Sequence, residues 1–133
     1  MSVQSEISAV MATLSDTVAG AARRTLPPDV AVKTRHHVLD TLAACMSGSR
    51  LRAGKLATAY VSRFVGGPEA TVIGTKLVVA TEWAALANGM AGHADETDDS
   101  HLGGRFHPGC GIVPAALAVA EFADRGGALH IDV

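Results

Sequence analysis

The chain has 133 residues, 48% of them hydrophobic and 18% charged. That is enough for one domain with a real core, and the balance is that of a globular protein rather than a disordered one. A formal net charge of −2 leaves no basic footprint, so nucleic acid and anionic membrane surfaces are poor candidate partners.

In chain order, Ile7, Val10, Met11, Leu14, Val18 and Ala21 recur at spacings of three and four, the mark of an amphipathic helix. Arg23 and Arg24 suit the negative pole of its dipole, and Leu26-Pro27-Pro28 stops it. This N-terminal stretch has acids early and no basic region before an apolar run, which argues against a signal peptide. Asp29 opens a second helix with Val30, Val32, Val38, Leu39, Leu42 and Ala43 on its apolar face, ended by Ser47-Gly48-Ser49. A third helix is expected from Leu51 to about Val65, with Leu56, Ala59, Tyr60 and Phe64 inward and Gly66-Gly67-Pro68 closing it.

Residues 69–74 are short, β-branched and glycine-bounded, and predict an isolated strand or extended connector. An Ala-rich helix follows from about Thr81 to Ala91, then a polar loop, then a last helix from Ala115 to about Asp124. The predicted fold is all-α, with about five helices and at most one short extended segment. No run approaches the roughly twenty apolar residues that span a bilayer, and Cys45 and Cys110, without CxxC spacing, read as reduced thiols. A cytoplasmic protein is the expectation.

The densest chemistry lies between Gly92 and Pro114, GHADETDDSHLGGRFHPGCGIVP, which holds three His (His93, His101, His107) and four acids (Asp95, Glu96, Asp98, Asp99). Three readings compete for it. Imidazoles and carboxylates can hold Zn, Mn or Fe, but the histidine spacings match no standard zinc pattern and the acidic run lacks the turn glycine of an EF-hand. A His and a carboxylate held close together can instead divide general acid and base roles, with Arg105 clamping a substrate carboxylate and Ser100 donating a hydrogen bond. The third reading is structural, since Asp and Ser before a helix are ordinary caps and acidic runs are commonly solvated loops. His36 and His37 read as surface or packing residues, and His130 lies in the tail.

The stretch His93-Ala94-Asp95-Glu96-Thr97-Asp98-Asp99-Ser100-His101-Leu102-Gly103, followed by His107-Pro108-Gly109 and Pro114-Ala115-Ala116-Leu117, resembles the MmgE/PrpD family. That family includes 2-methylcitrate dehydratase, cis-aconitate decarboxylase and iminodisuccinate epimerase. Leu39-Asp40-Thr41-Leu42-Ala43, Thr71-Val72-Ile73-Gly74 and Asn88-Gly89 are similar to the family's earlier segments. The resemblance implies a helical domain completed by an α+β lid domain, and metal-free, cofactor-free catalysis on small polycarboxylates, commonly in a homodimer.

Carried over by motif, the family's first acidic catalytic position, usually Asp, falls on Glu96 and its hydroxyl position, usually Thr, on Ser100. Its motif histidine falls on His107. Asp99 and His101 match motif residues and, with Arg105, are the expected substrate-binding groups. Gly109 stands where the family has Ser. Members run several times longer, so residues 1–133 are expected to be a partial N-terminal helical domain without the lid. The implied activity is that of a dehydratase-type lyase, with decarboxylation or epimerisation of a related acid as alternatives. A further alternative is a non-catalytic helical fragment that keeps only an interaction surface.

Overall fold

The computed structural model describes residues 7–21, 23–64 and 66–125; the predicted end of the third helix at Val65, and His130 with the tail after Arg125, lie outside them. The chain divides into two compact units, residues up to Val32 and residues from Lys33 onward, the division falling within the second helix. In the first unit, α1 (Ala9–Ala21) starts where Ser8 Oγ accepts the Met11 N–H at 3.2 Å, a serine cap on an orphan donor. Its apolar stripe is present, but none of its residues is buried. Helix α2 (Pro28–Gly48) begins with proline at its first position and Asp29 in its first turn, the arrangement that suits a missing N–H and the positive helix pole.

In the second unit, α3 (Arg52–Val61), β1 (Ala70–Thr71), β2 (Val78–Val79), α4 (Thr81–Gly92) and α5 (Gly109–Arg125) follow the rest of α2. The all-α expectation holds. The predicted extended segment is present but not isolated: β1 pairs antiparallel with β2, Ala70 opposite Val79 and Thr71 opposite Val78. Thr75 N–H closes the turn onto the Val72 carbonyl at 3.1 Å. Gly74 adopts φ 79° there, with Ser49 packed where its Cβ would stand.

Helix α4 is the centre, packing against α3, α5 and both strands. The core is built from Ala57, Val61, Ala70, Val72, Val79, Ala84, Ala87 and Ala118. Alanines at this crossing let helix axes approach closely, so dispersion contacts replace side-chain bulk. At the rim, Phe64 stacks on Trp83 with centroids 4.0 Å apart, and Tyr60 meets both edge-on.

Two predicted faces are rotated. On α3 the buried residues are Gly54, Ala57 and Val61, while Leu56 and Tyr60 are exposed. On α2 they are Thr41, Ala44, Cys45 and Gly48, while Val30, Val32 and Leu39 are exposed. In both helices the small stripe goes inward, because a larger side chain would hold the backbones apart. A Cβ on Gly48 would collide with the Ala91 carbonyl.

Helix boundaries also differ. Helix α3 ends at Val61, where i→i−3 bonds from Arg63 and Phe64 tighten the chain into a turn. Helix α5 starts at Gly109 rather than Ala115 and runs through Pro114. Pro114 has no N–H for the Cys110 carbonyl, and that oxygen would lie 2.9 Å from a Cβ on Gly89. A glycine on α4 therefore makes room for the carbonyl that the proline leaves without its helical partner. Among the described residues, no helix is long and apolar enough to cross a membrane.

Buried Asn88 ties these layers together. Its Oδ1 accepts the Ile73 N–H at 2.8 Å, its Nδ2 donates to the Thr71 carbonyl at 2.9 Å, and its own carbonyl accepts the Cys45 thiol at 3.2 Å. Glu69 accepts the Thr81 N–H at 2.9 Å in place of a side-chain cap on α4, and Glu121 of α5 accepts the Thr71 N–H at 3.0 Å. Asn88→Ala would strand a backbone donor and acceptor. It is expected to lower unfolding free energy by about 1–3 kcal/mol, read from urea denaturation; an unchanged midpoint would refute the role.

Candidate active site

The polar block is the connection from α4 to α5. His93 caps the end of α4, with its N–H on the Gly89 carbonyl at 3.3 Å. Asp95 makes a local turn, accepting Thr97 Oγ1 at 2.8 Å, and its other oxygen accepts Ser47 Oγ at 2.9 Å, which ties the loop to the end of α2. These bonds, Thr97 first and then Ser47, hold its carboxyl below the usual range. This acid has a structural job.

Asp98 and Asp99 diverge. The Asp98 side chain is fully inaccessible and accepts His93 Nδ1 at 3.0 and 3.2 Å, with His107 Nδ1 3.5 Å away. The His93 and His107 rings lie 4.9 Å apart. Burial pushes the Asp98 carboxyl up, but hydrogen bonds from His93 and Cys110 and the His93 charge outweigh it and hold it below the usual range. Asp99 Oδ1 accepts the Gly109 N–H at 2.7 Å, so it caps α5 from the loop. Its Oδ2 lies 3.7 Å from His37 Nδ1 on α2.

Of the expected site residues, Ser100 and His107 come together, Oγ to Nδ1 3.4 Å. With His101, Arg105 and Phe106 they line a groove of about 340 Å³. The Arg105 guanidinium has no carboxylate partner among the described residues. A second groove of about 330 Å³, which shares Ser100 and His101, is bounded by His37, Asp99, Pro108 and Gly109. His101 is engaged locally: its Nδ1 accepts the Gly104 N–H at 2.9 Å, and its backbone bridges to Phe106. Glu96 is exposed, in the left-handed region at φ 55°, and lines neither groove.

Sequence reasoning assigned no site role to His37, His93 or Asp98. His37 and Thr41 share one face of α2 at i, i+4, and that spacing was the available signal for His37. Asp98 and His93 stand in the motif itself, but spacing alone does not tell a buried acid from an exposed one. Cys45 and Cys110 are both free. Burial first, then the nearby Cys110 and Asp98, push the Cys45 thiol up to about 11; burial and Asp98 raise Cys110. Neither has the character of an activated nucleophile. For a metal, the described residues offer one trio, His93, Asp98 and Cys110, whose donor atoms lie within 4.8 Å of one another, although His93 and Asp98 already bond each other. The apolar groove of about 400 Å³ between α3 and α4 has one charged group, Arg63, and no proton-exchanging pair.

The Asp98 geometry sets a pH dependence. A carboxyl whose folded pKa lies below its unfolded value, near about 3.9 for Asp, stabilises above that value, and the contribution is lost as pH falls through the folded one. Asp98→Asn is expected to remove part of the acid-side loss of stability, with Glu69 and Asp95 unchanged in both proteins. Acid unfolding curves followed by circular dichroism check this, and equal slopes would refute it.

The MmgE/PrpD N-terminal domain profile matches residues 12–131. A cis-aconitate decarboxylase-like protein, oryM, of Aspergillus oryzae is 29% identical over 101 residues, which are 76% of this chain and 21% of that protein. The chain thus spans about a fifth of the length of that curated relative. No solved structure matches the chain at the same level of significance. With the family profile matched across nearly all of its length, through the His93–Gly109 loop, the chain belongs to the MmgE/PrpD family.

Proposed function

We propose that this chain supplies acid–base and substrate-holding groups of a lyase that acts on a small polycarboxylate, in the manner of a 2-methylcitrate dehydratase. The observation that carries the reading is the half-buried His107, flanked at Nδ1 by Asp98 and Ser100, in a groove with an Arg105 that has no acidic partner among the described residues. In the proposed reaction His107 moves the proton alpha to a substrate carboxylate. Cationic groups stabilise the aci-carboxylate that develops, and an acid assists departure of the hydroxyl. Ser100 holds the substrate, Arg105 takes a carboxylate by a forked pair of hydrogen bonds, and Asp99 and His101 border it. Glu96 orients or shares the proton once its exposed side chain turns toward the groove.

A decarboxylase is the second reading, favoured by the relative described as cis-aconitate decarboxylase-like. Loss of carbon dioxide and loss of an alpha proton both leave an enolate-like intermediate for the same groups to stabilise, and epimerisation shares it. A cytoplasmic homodimer that uses neither metal nor organic cofactor belongs to the same proposal. So does an α+β lid supplied by sequence outside residues 1–133.

Two measurements test the reading. In the protein expressed from its whole gene, His107→Ala should reduce turnover of the best polycarboxylate by roughly a hundredfold or more; near-normal turnover removes His107 from the mechanism. In the 133-residue chain, cis-aconitate should shift the amide and side-chain NMR signals of Ser100, Arg105 and His107. Arg105→Ala should weaken that binding about tenfold or more, as expected for loss of a charge-assisted pair. Equal affinity would remove the carboxylate clamp.

A further inference from the structure

We infer that Asp98 is a positioning residue that takes the Nδ1 protons of both His93 and His107, and so leaves Nε2 as the working nitrogen of His107. The inference rests on His107 as the proton-transfer group, and it adds which of its two nitrogens does the work and what Ser100 is left free to do.

Two acceptors compete for the His107 Nδ1 proton. Ser100 Oγ is within hydrogen-bond reach at 3.4 Å, and Asp98 Oδ1 stands 3.5 Å away at ion-pair distance, so the two differ little in distance and Asp98 needs a small approach to accept the proton. Charge chooses between them: a hydrogen bond to an ionised acceptor is about twice as strong as one between neutral groups. The Asp98 side chain is wholly out of solvent, where its field is poorly screened, and its net downward pKa shift keeps it ionised. Ser100 is exposed and can satisfy its hydroxyl in water.

An ionised carboxylate only accepts. Facing two imidazoles at their Nδ1 atoms, Asp98 imposes the Nδ1–H form on each. His93 is the firmer partner, at 3.0 and 3.2 Å to the two oxygens, and it holds the carboxylate in place for His107. The Nε2 atom of His107 then carries the lone pair. Ser100 cannot pass its proton to Nδ1, so it is not an activated nucleophile and its hydroxyl remains available to donate to a substrate oxygen.

The fold supplies an internal control. His101 Nδ1 accepts the Gly104 N–H at 2.9 Å, which requires the opposite tautomer, with the proton on Nε2.

The experiment is a two-bond proton–nitrogen correlation spectrum of the 133-residue chain labelled with ¹⁵N-histidine, at a pH of about 8.5 where free imidazole is neutral. His93 and His107 are expected to be protonated at Nδ1 and His101 at Nε2. In Asp98→Asn the acceptor loses its charge, and with it about half the strength of the bond to Nδ1, so the Nδ1-protonated fraction of His107 should fall. Ser100→Ala should change the tautomer of neither His93 nor His107. An Nε2-protonated His107 in the unsubstituted chain overturns the inference, as does a tautomer change caused by Ser100→Ala. An unchanged Nδ1-protonated fraction of His107 in a folded Asp98→Asn overturns it too. If Asp98→Asn does not fold, the unsubstituted chain and Ser100→Ala still decide.

No substrate enters this measurement. An Nδ1-protonated His107 alongside a fully active His107→Ala would therefore sink the catalytic reading alone. An Nε2-protonated His107 alongside an inactive His107→Ala would sink the positioning role alone.

Discussion

Everything near the candidate site depends on how closely backbones approach at the last turns of α4. From Asn88 to Gly92 the helix carries one substantial inward side chain, Asn88, and uses it to bond the hairpin rather than to fill space. Around it, Gly48 of α2 meets the Ala91 carbonyl, and Gly89 makes room for the Cys110 carbonyl that Pro114 leaves without its helical partner. Larger residues here would push α2 and α5 away from α4. The loop from His93 to Pro108 would then have no fixed ends, and its imidazoles no common carboxylate.

That carboxylate is the second constraint. Breaking a buried ion pair by removing one partner costs about 3–5 kcal/mol, so Asp98 is tolerable only while donors surround it. His93 arrives from the end of α4 and His107 from just before α5, while the Cys110 thiol in the first turn of α5 donates to the His107 carbonyl at 3.3 Å. One buried charge thus ties both ends of the loop together, which relates the stability of the connection to the placement of its imidazoles. Asp99 does the complementary work outside, where it starts α5 by accepting the Gly109 N–H.

The sequence made element types and the site's location legible, because punctuation and polarity are local. Pro27-Pro28, Ser47-Gly48-Ser49 and Gly66-Gly67-Pro68 separate the helices, and the acid- and histidine-rich run fits no buried helix face. Helix orientation was not legible. Thr41, Ala44, Cys45 and Gly48 form the inward stripe of α2, yet residues this small barely register in a hydrophobic pattern that Val30, Val32 and Leu39 dominate. Pro114 misled for a related reason: it ends a helix only when the carbonyl one turn back has nowhere to go, and Gly89 is 25 residues away in sequence. Within the site, Asp98 and Asp99 are chemically identical neighbours, and only tertiary packing makes one a buried acceptor and the other a helix cap. His37 enters the site solely because α2 passes beside Asp99.

The departures from the family motif now separate into two kinds. At Gly109 a Cβ would stand 2.5 Å from Asp99 Oδ1 and 2.6 Å from Thr41 Oγ1, so a serine requires these side chains to shift. Glycine here is a packing solution that lets Asp99 reach the helix N-terminus, and a lost hydroxyl is its by-product. Glu96 is the opposite case. It is exposed at a left-handed position of the loop, where an extra methylene meets no packed neighbour and lengthens the reach of the carboxylate. Ser100, also exposed, loses a methyl without opening a cavity. The changes at Glu96 and Ser100 keep their functional groups and alter where those groups can stand, and a displacement near about one ångström matters for a reacting proton. In the proposed lyase, the motif's departures would bear on which polycarboxylate fits, while the buried Asp98 and the imidazoles beside it would bear on how a proton is moved.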